Sequence, residues 1–216
     1  MTDRLSLYNG ALRLCKERRL SSLAENRHPR RLLDDAWGDG ATTGSVARCL
    51  EAGQWTFATR TALIEATPDI APDFGYRHAF TQPEDMVRPV AICQDEFFKD
   101  PLLEYSDERG IWYAPISTIY VKWVSNSDTY GADMSLWPQS FVDLVEADLA
   151  MQIVYTLTES ADTRAAVERA FDQAKKKAAS LTAMNKPTAY PPEGGWNRAR
   201  RGWGSTRQSG WNGHSL

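Results

Sequence analysis

Hydrophobic positions divide the chain into a helical first quarter, a strand-and-loop middle and a helical stretch before the tail. At the start, Leu5, Tyr8, Leu12 and Cys15 recur at three- and four-residue spacing, predicting a helix from about Thr2 to Arg19 with Asp3 in its first turn. Leu20 to Asn26 lose that period and read as a turn. A second helix begins near Pro29, a residue suited to the first helical position, and carries Leu32, Leu33, Ala36 and Trp37. Gly38, Gly40 and Gly44 interrupt it. Helix resumes through Val46, Ala47 and Leu50, with Gly53 expected to cap its end.

From Trp55 to Val124, short β-branched and aromatic runs are broken by Pro68, Pro72, Pro83, Pro89, Pro101 and Pro115. Ile119, Val121 and Trp123 alternate with Tyr120, Lys122 and Val124, the period of a strand. Asp107 to Gly110 separate Leu103 and Tyr105 from Ile111 to Tyr113, which predicts a hairpin. Pro89 cannot donate to a ladder, so Met86 to Cys93 is expected at a sheet edge. Pro138 then opens the clearest periodic segment, a helix facing the core with Phe141, Leu144, Val145, Leu149, Ile153 and Leu157. Ser160 and Asp162 punctuate. A second helix follows with Val167, Ala170, Phe171, Ala174, Ala178 and Leu181, and the two should pair antiparallel. Lys175, Lys176 and Lys177 fall toward its C-terminal end, where the helix dipole favours cations. The predicted fold is α+β: mainly a helical bundle of this long pair plus the N-terminal helices, with a small antiparallel β-sheet. No repeat of fixed period is present.

The last 30 residues break every pattern. Residues 187–216 hold three tryptophans, four arginines and six glycines but no Val, Ile, Met or Phe, so they cannot build a core. The chain is therefore read as a body, residues 1–184, with helices over 2–52 and 138–184 and a β/loop region over 55–125. Residues 185–216 form an extended C-terminal arm. The net charge of −3 conceals an asymmetry between them: Lys186, Arg198, Arg200, Arg201 and Arg207 against Glu193 leave the arm basic and the body acidic. Such an arm suits an acidic surface, of protein or of nucleic acid.

Candidate chemistry is sparse. His28, His78 and His214 are the only histidines, and none lies in a catalytic motif; a hydrolytic site would need a cleft gathering His78 with acidic neighbours. Asp34 with Asp35, Glu84 with Asp85 and Asp107 with Glu108 are sequence neighbours whose side chains diverge, and are expected to be solvated. The segment Gly38 to Ser45 has no lysine before its serine and does not match a phosphate loop. Cys15, Cys49 and Cys93 lack metal or disulfide spacing and read as buried small hydrophobes. No stretch of about 18 apolar residues spans a membrane, and the charged first 20 residues do not read as a secretory signal. No catalytic residue, cofactor or metal is expected.

The order of short motifs carries more information than any one of them. LYNGALRLC at residues 7–15, SSLAE at 21–25, RRLLDDAW at 30–37 and ARCLEAGQWTFATR at 47–60 resemble the tail tubular protein A adaptors of short-tailed bacteriophages. Those proteins open with an N-x-A-L helix, an S-L-x-E turn and a helix ending in C-L-E before W-x-F-A. The matching positions include Asn9, Leu12, Glu25, Cys49, Glu51 and Trp55. AFTQPEDMVRPVAI resembles a later family segment through Phe80, Pro83, Asp85, Val87 and Arg88. The strand IYVKWV, the WPQSFVDLVEADLA helix and a terminal W-x-R element then follow in the family's order. Departures are the glycine-containing insert at 38–45 and the length of the tail.

The resemblance implies a virion structural adaptor at the head–tail junction, synthesised in the host cytoplasm. It implies a homo-oligomeric ring, typically of twelve copies, between the capsid portal protein and the tail nozzle protein. Genomic DNA would pass through its channel without sequence-specific binding; no membrane is involved. For an acidic body, a lumen of like charge to DNA would limit phosphate contacts. Trp196, Arg198, Arg200, Arg201, Trp203, Arg207 and Trp211 are the expected anchors on portal or a neighbouring subunit, because tryptophan and arginine dominate interface energetics. The alternative is a single-stranded nucleic-acid-binding protein, with the arm's tryptophans stacking on bases and its arginines holding phosphates.

Overall fold

A computed structural model describes residues 2–73 and 75–185. Its class is α+β, as the hydrophobic pattern predicts, with five helices and two three-stranded antiparallel sheets in place of the single small sheet expected. Helix α1 spans Arg4–Leu14, α2 His28–Trp37, α3 Ser45–Glu51, α4 Gln139–Leu157 and α5 Ala161–Met184. The strands are β1 Thr59–Glu65, β2 His78–Thr81, β3 Met86–Cys93, β4 Ser106–Glu108, β5 Ile111–Ala114 and β6 Thr118–Ser125.

The first helix is shorter than its apolar period suggests. Asp3 caps its start by accepting from the Ser6 backbone N–H at 2.8 Å. Its end is set by Lys16, which adopts a left-handed φ of 59° while the Glu17 N–H reaches back to the Leu12 carbonyl at 2.9 Å. Cys15 is thus the last core residue of a finished helix. Pro29 lies in the first turn of α2 as expected, and the glycine insert ends that helix outright. Gly53 is not the cap of α3, which is Ala52 in ordinary right-handed conformation. Gly53 instead makes room: a Cβ there would sit 2.6 Å from the Trp55 ring.

Helix α4 is buried nearly all round, and the other helices pack on it. Its start meets Trp55, Phe57 and Trp137 through edge-on contacts to Phe141, with ring centroids 4.8–5.1 Å apart. Helix α5 returns antiparallel, tied by Tyr155 Oη donating to Glu168 and by Lys177 to Asp143 at 3.2 Å. Lys175 to Lys177 lie two turns before the helix end, so the terminal dipole does not explain them. Leu181, expected in the core, is exposed; the helical phase buries Thr182 in its place.

Strand β6 is central in the first sheet, with β1 and β3 on its flanks; β5 is central in the second, between β2 and β4. Phe80, Trp112, Ile119, Val121 and Trp123 form a core shared by the two sheets. Pro89 sits in the edge strand β3, as its missing donor requires, beside register irregularities on both sides. The predicted hairpin exists with a shifted arm. Leu103 to Tyr105 precede the strand, and the turn is Arg109–Gly110, both at positive φ (54° and 82°), the conformation that two-residue hairpin loops favour. All three cysteines are buried and free.

Candidate interaction surfaces

The expected anchors Trp196, Arg198, Arg200, Arg201, Trp203, Arg207 and Trp211 lie outside the described residues. The body's own motif residues fall inside them, and their side chains tie the scaffold together. Asn9 clasps the chain after α1 by donating to the Leu20 carbonyl and accepting from the Leu20 N–H at 2.7 Å. Glu25 accepts from the Ser21 N–H, holding the turn. Trp55 Nε1 donates to the carbonyls of Cys49 and Leu50, two otherwise open acceptors at the end of α3. Arg88 donates to the Glu51 carbonyl, joining β3 to the same helix end.

Two of the acid pairs depart from the solvated expectation at one member each. Asp34 accepts from Arg4, Tyr8 and Arg30, and burial pushes the Tyr8 phenol up. Asp85, its side chain only 18% exposed, accepts from Ser125 Oγ at 2.5 Å and pairs with Arg60 at 3.0 Å. Its backbone carbonyl also accepts from Asn126, so one residue pins the ends of β1, β3 and β6 together. Burial pushes the Asp85 carboxyl up, but the Ser125 hydroxyl and the Arg60 guanidinium outweigh it and hold it below the usual range. A depressed folded value means that ionised Asp85 stabilises the fold above its unfolded pKa of about 4, and that this contribution fades as pH falls through the folded value. Asp85→Asn should therefore cost about 1–2 kcal/mol at neutral pH. The gap from wild type should narrow below about pH 4, which urea titrations at pH 7 and pH 3.5 would measure.

A second half-buried carboxylate behaves oppositely. Glu146, 13% exposed, lies between two shallow grooves on α4, covered by Gly10 of α1 and paired with Arg13 at 3.2 Å. Burial raises its carboxyl and Arg13 only partly offsets that. A Cβ added at Gly10, the second residue of the N-x-A-L match, would fall where this carboxylate lies and displace it.

A cleft of about 530 Å³ opens beside the far end of β1, lined by Glu65, Pro68, Ile70, Arg77, His78 and Thr118 among others. Both His78 and Glu65 line it. Among the described residues, however, no hydrogen bond joins His78 to Glu65 or to a hydroxyl, so the cleft holds no assembled acid–base pair. His28 lies apart, exposed at the start of α2.

Sequence reasoning missed the most exposed apolar site. After β3 the chain turns back on itself: Gln94 N–H donates to the Asp100 carbonyl at 2.9 Å, and Leu102 N–H to the Ile92 carbonyl at 2.9 Å. Inside this loop the Asp95 carboxylate accepts from the N–H groups of Asp100 and Lys99, which also holds its carboxyl below the usual carboxylate range. Phe98 takes a left-handed φ of 55° and lies under the Lys122 ammonium, 4.4 Å from its ring centre. Its neighbour Phe97 is left 69% exposed, and Leu103 beyond the loop 83%. The signal available in the sequence was DEFFKDPLLEY, apolar residues alternating with carboxylates without either helical or strand period. Comparisons of the sequence with protein-family models and with curated proteins return no match.

Proposed function

We propose that this chain is a virion structural adaptor, a homo-oligomeric ring between capsid portal and tail nozzle through which DNA passes. The observation that carries the reading is the display of Phe97 on a hydrogen-bonded loop, with Leu103 exposed just beyond it. Exposed apolar side chains held in one conformation mark a surface meant for a protein partner. The order of adaptor-like motifs supports it further, since Asn9, Glu25, Trp55, Asp85 and Arg88 each make a hydrogen bond within the body. The arm supplies the second interface, with Trp196, Trp203 and Trp211 as anchors and its arginines as complement to an acidic portal or neighbour.

Electron microscopy of the purified protein, alone and mixed with portal, tests this directly: rings are expected, and particles that stay monomeric in both samples would refute it. Ending the chain at Tyr190 should leave a body with an unchanged circular dichroism spectrum and thermal midpoint that no longer joins portal. Normal joining by that truncated chain would remove the arm from the interface. Binding of the isolated arm to single-stranded oligonucleotides with steep salt dependence would instead favour the nucleic-acid reading.

A further inference from the structure

We infer that the loop from Gln94 to Tyr105 is a docking knob for a separate protein whose surface offers an apolar pocket ringed by arginine and lysine. This rests on the adaptor reading and names the chemistry of one neighbour. Three observations converge on it. First, the apolar centre is real and available: Phe97 and Leu103 are the two most exposed large aromatic and aliphatic residues of the β region. Second, the knob is already ordered. Asp95 ties its own loop through two backbone N–H groups, the loop base is closed by backbone bonds on both sides, and Phe98 is held over Lys122. Binding then costs little additional ordering, which is how a small surface reaches useful affinity.

Third, the knob is net acidic. Asp95, Glu96, Asp100 and Glu104 flank the apolar pair along the chain and outnumber two cations, Lys99 with its ammonium 5.6 Å from the Phe97 ring centre and Lys122 on Phe98. A carboxylate rim around an apolar centre selects a partner with the opposite rim and repels one of like charge. The cleft beside β1 does not supply that surface, because its Arg77 is offset by Glu65. Residues 1–185 are acidic overall, which disfavours a second copy as the occupant and favours a different, basic polypeptide. The knob also projects from the end of β3 where Cys93 pairs with Tyr120, the end of the sheet remote from Met86 and Ser125. Those two lie where β3 and β6 meet the helices, through Arg88 to Glu51 and through Asn126 to Ala41. The knob and the contacts to Glu51 and Ala41 thus lie at opposite ends of the sheet.

The test is a photoreactive phenylalanine, p-benzoylphenylalanine, placed at position 97 and separately at 103, with Ser180 on the exposed side of α5 as control. Irradiation of assembled particles, followed by mass spectrometry of the adducts, should join positions 97 and 103 to one other polypeptide at peptides containing Arg or Lys, and position 180 to none of these peptides. Adducts to this chain itself, or none in particles that contain the protein, would overturn the inference while leaving the adaptor reading intact. Particles that lack the protein would overturn both. With the partner so identified and purified, Phe97→Ala should weaken binding roughly thirtyfold or more. Paired Glu96→Lys and Glu104→Lys should weaken it about tenfold at low salt and less at high salt. Binding indifferent to all three changes would also overturn it; being surface changes, they should leave the thermal midpoint in place.

Discussion

Trp55→Ala is expected to destabilise the body by about 3–5 kcal/mol, the range for removing a large buried aromatic side chain. The indole is 1% exposed and fills the junction where α3, α4 and the root of the first sheet meet. Its loss opens a cavity against Phe141, whose ring it contacts edge-on at 5.1 Å. Two carbonyls at the end of α3 also lose their shared donor. Trp55→Phe separates the two effects. It keeps most of the volume and the aromatic contact but not the N–H, so it should cost about 1–3 kcal/mol, the penalty for buried acceptors without a partner. For a chain of this size a loss of about 4 kcal/mol lowers the thermal midpoint by roughly 8–16 °C, and calorimetry should rank wild type above Trp55→Phe above Trp55→Ala. A Trp55→Phe midpoint equal to that of wild type would show that the indole N–H contributes nothing beyond packing.

The same junction shows why parts of the fold were legible. Phe141, Leu144, Val145, Leu149 and Ile153 lie on a face that periodicity identifies, and all are buried as predicted. Period reports only which side of a helix faces the core, so it does not say where the helix stops. Lys16 ended α1 through a left-handed backbone that its side chain does not advertise, and Leu181 sat at a spacing equally compatible with core or surface. The Arg109–Gly110 turn was readable from its glycine, whereas the loop at Asp95 was not. That loop depends on one carboxylate bonding to N–H groups four and five residues on, a pattern without a fixed composition. The partners of Asp85 were missed for a similar reason: Arg60 and Ser125 lie 25 and 40 residues away. Local sequence said acidic and exposed; the partners come together only in the folded sheet.

Gly44→Ala is the second large effect, and it concerns the insert that separates this chain from the adaptor motif order. Gly44 precedes α3 with φ 86° and ψ −156°, a region essentially closed to residues with a Cβ. A methyl group there would overlap the Trp37 carbonyl and stand 2.8 Å from the Ala36 oxygen, both backbone atoms that cannot swing aside. The end of α2 thus passes directly beneath the start of α3, and Ser45 Oγ seals the crossing by donating to Ala36 at 3.1 Å. Backbone strain and overpacking together should cost about 2–5 kcal/mol. Gly40→Ala is the matched control. It also has a positive φ, 68°, but the nearest atom to its added Cβ is Trp37 Nε1 at 3.7 Å, ordinary contact. Strain alone then applies, about 1–2 kcal/mol. Urea midpoints should fall further for Gly44→Ala than for Gly40→Ala. Equal losses would mean that the helix crossing can open without cost, and that the insert is a tolerated spacer rather than the element that fixes α2 against α3.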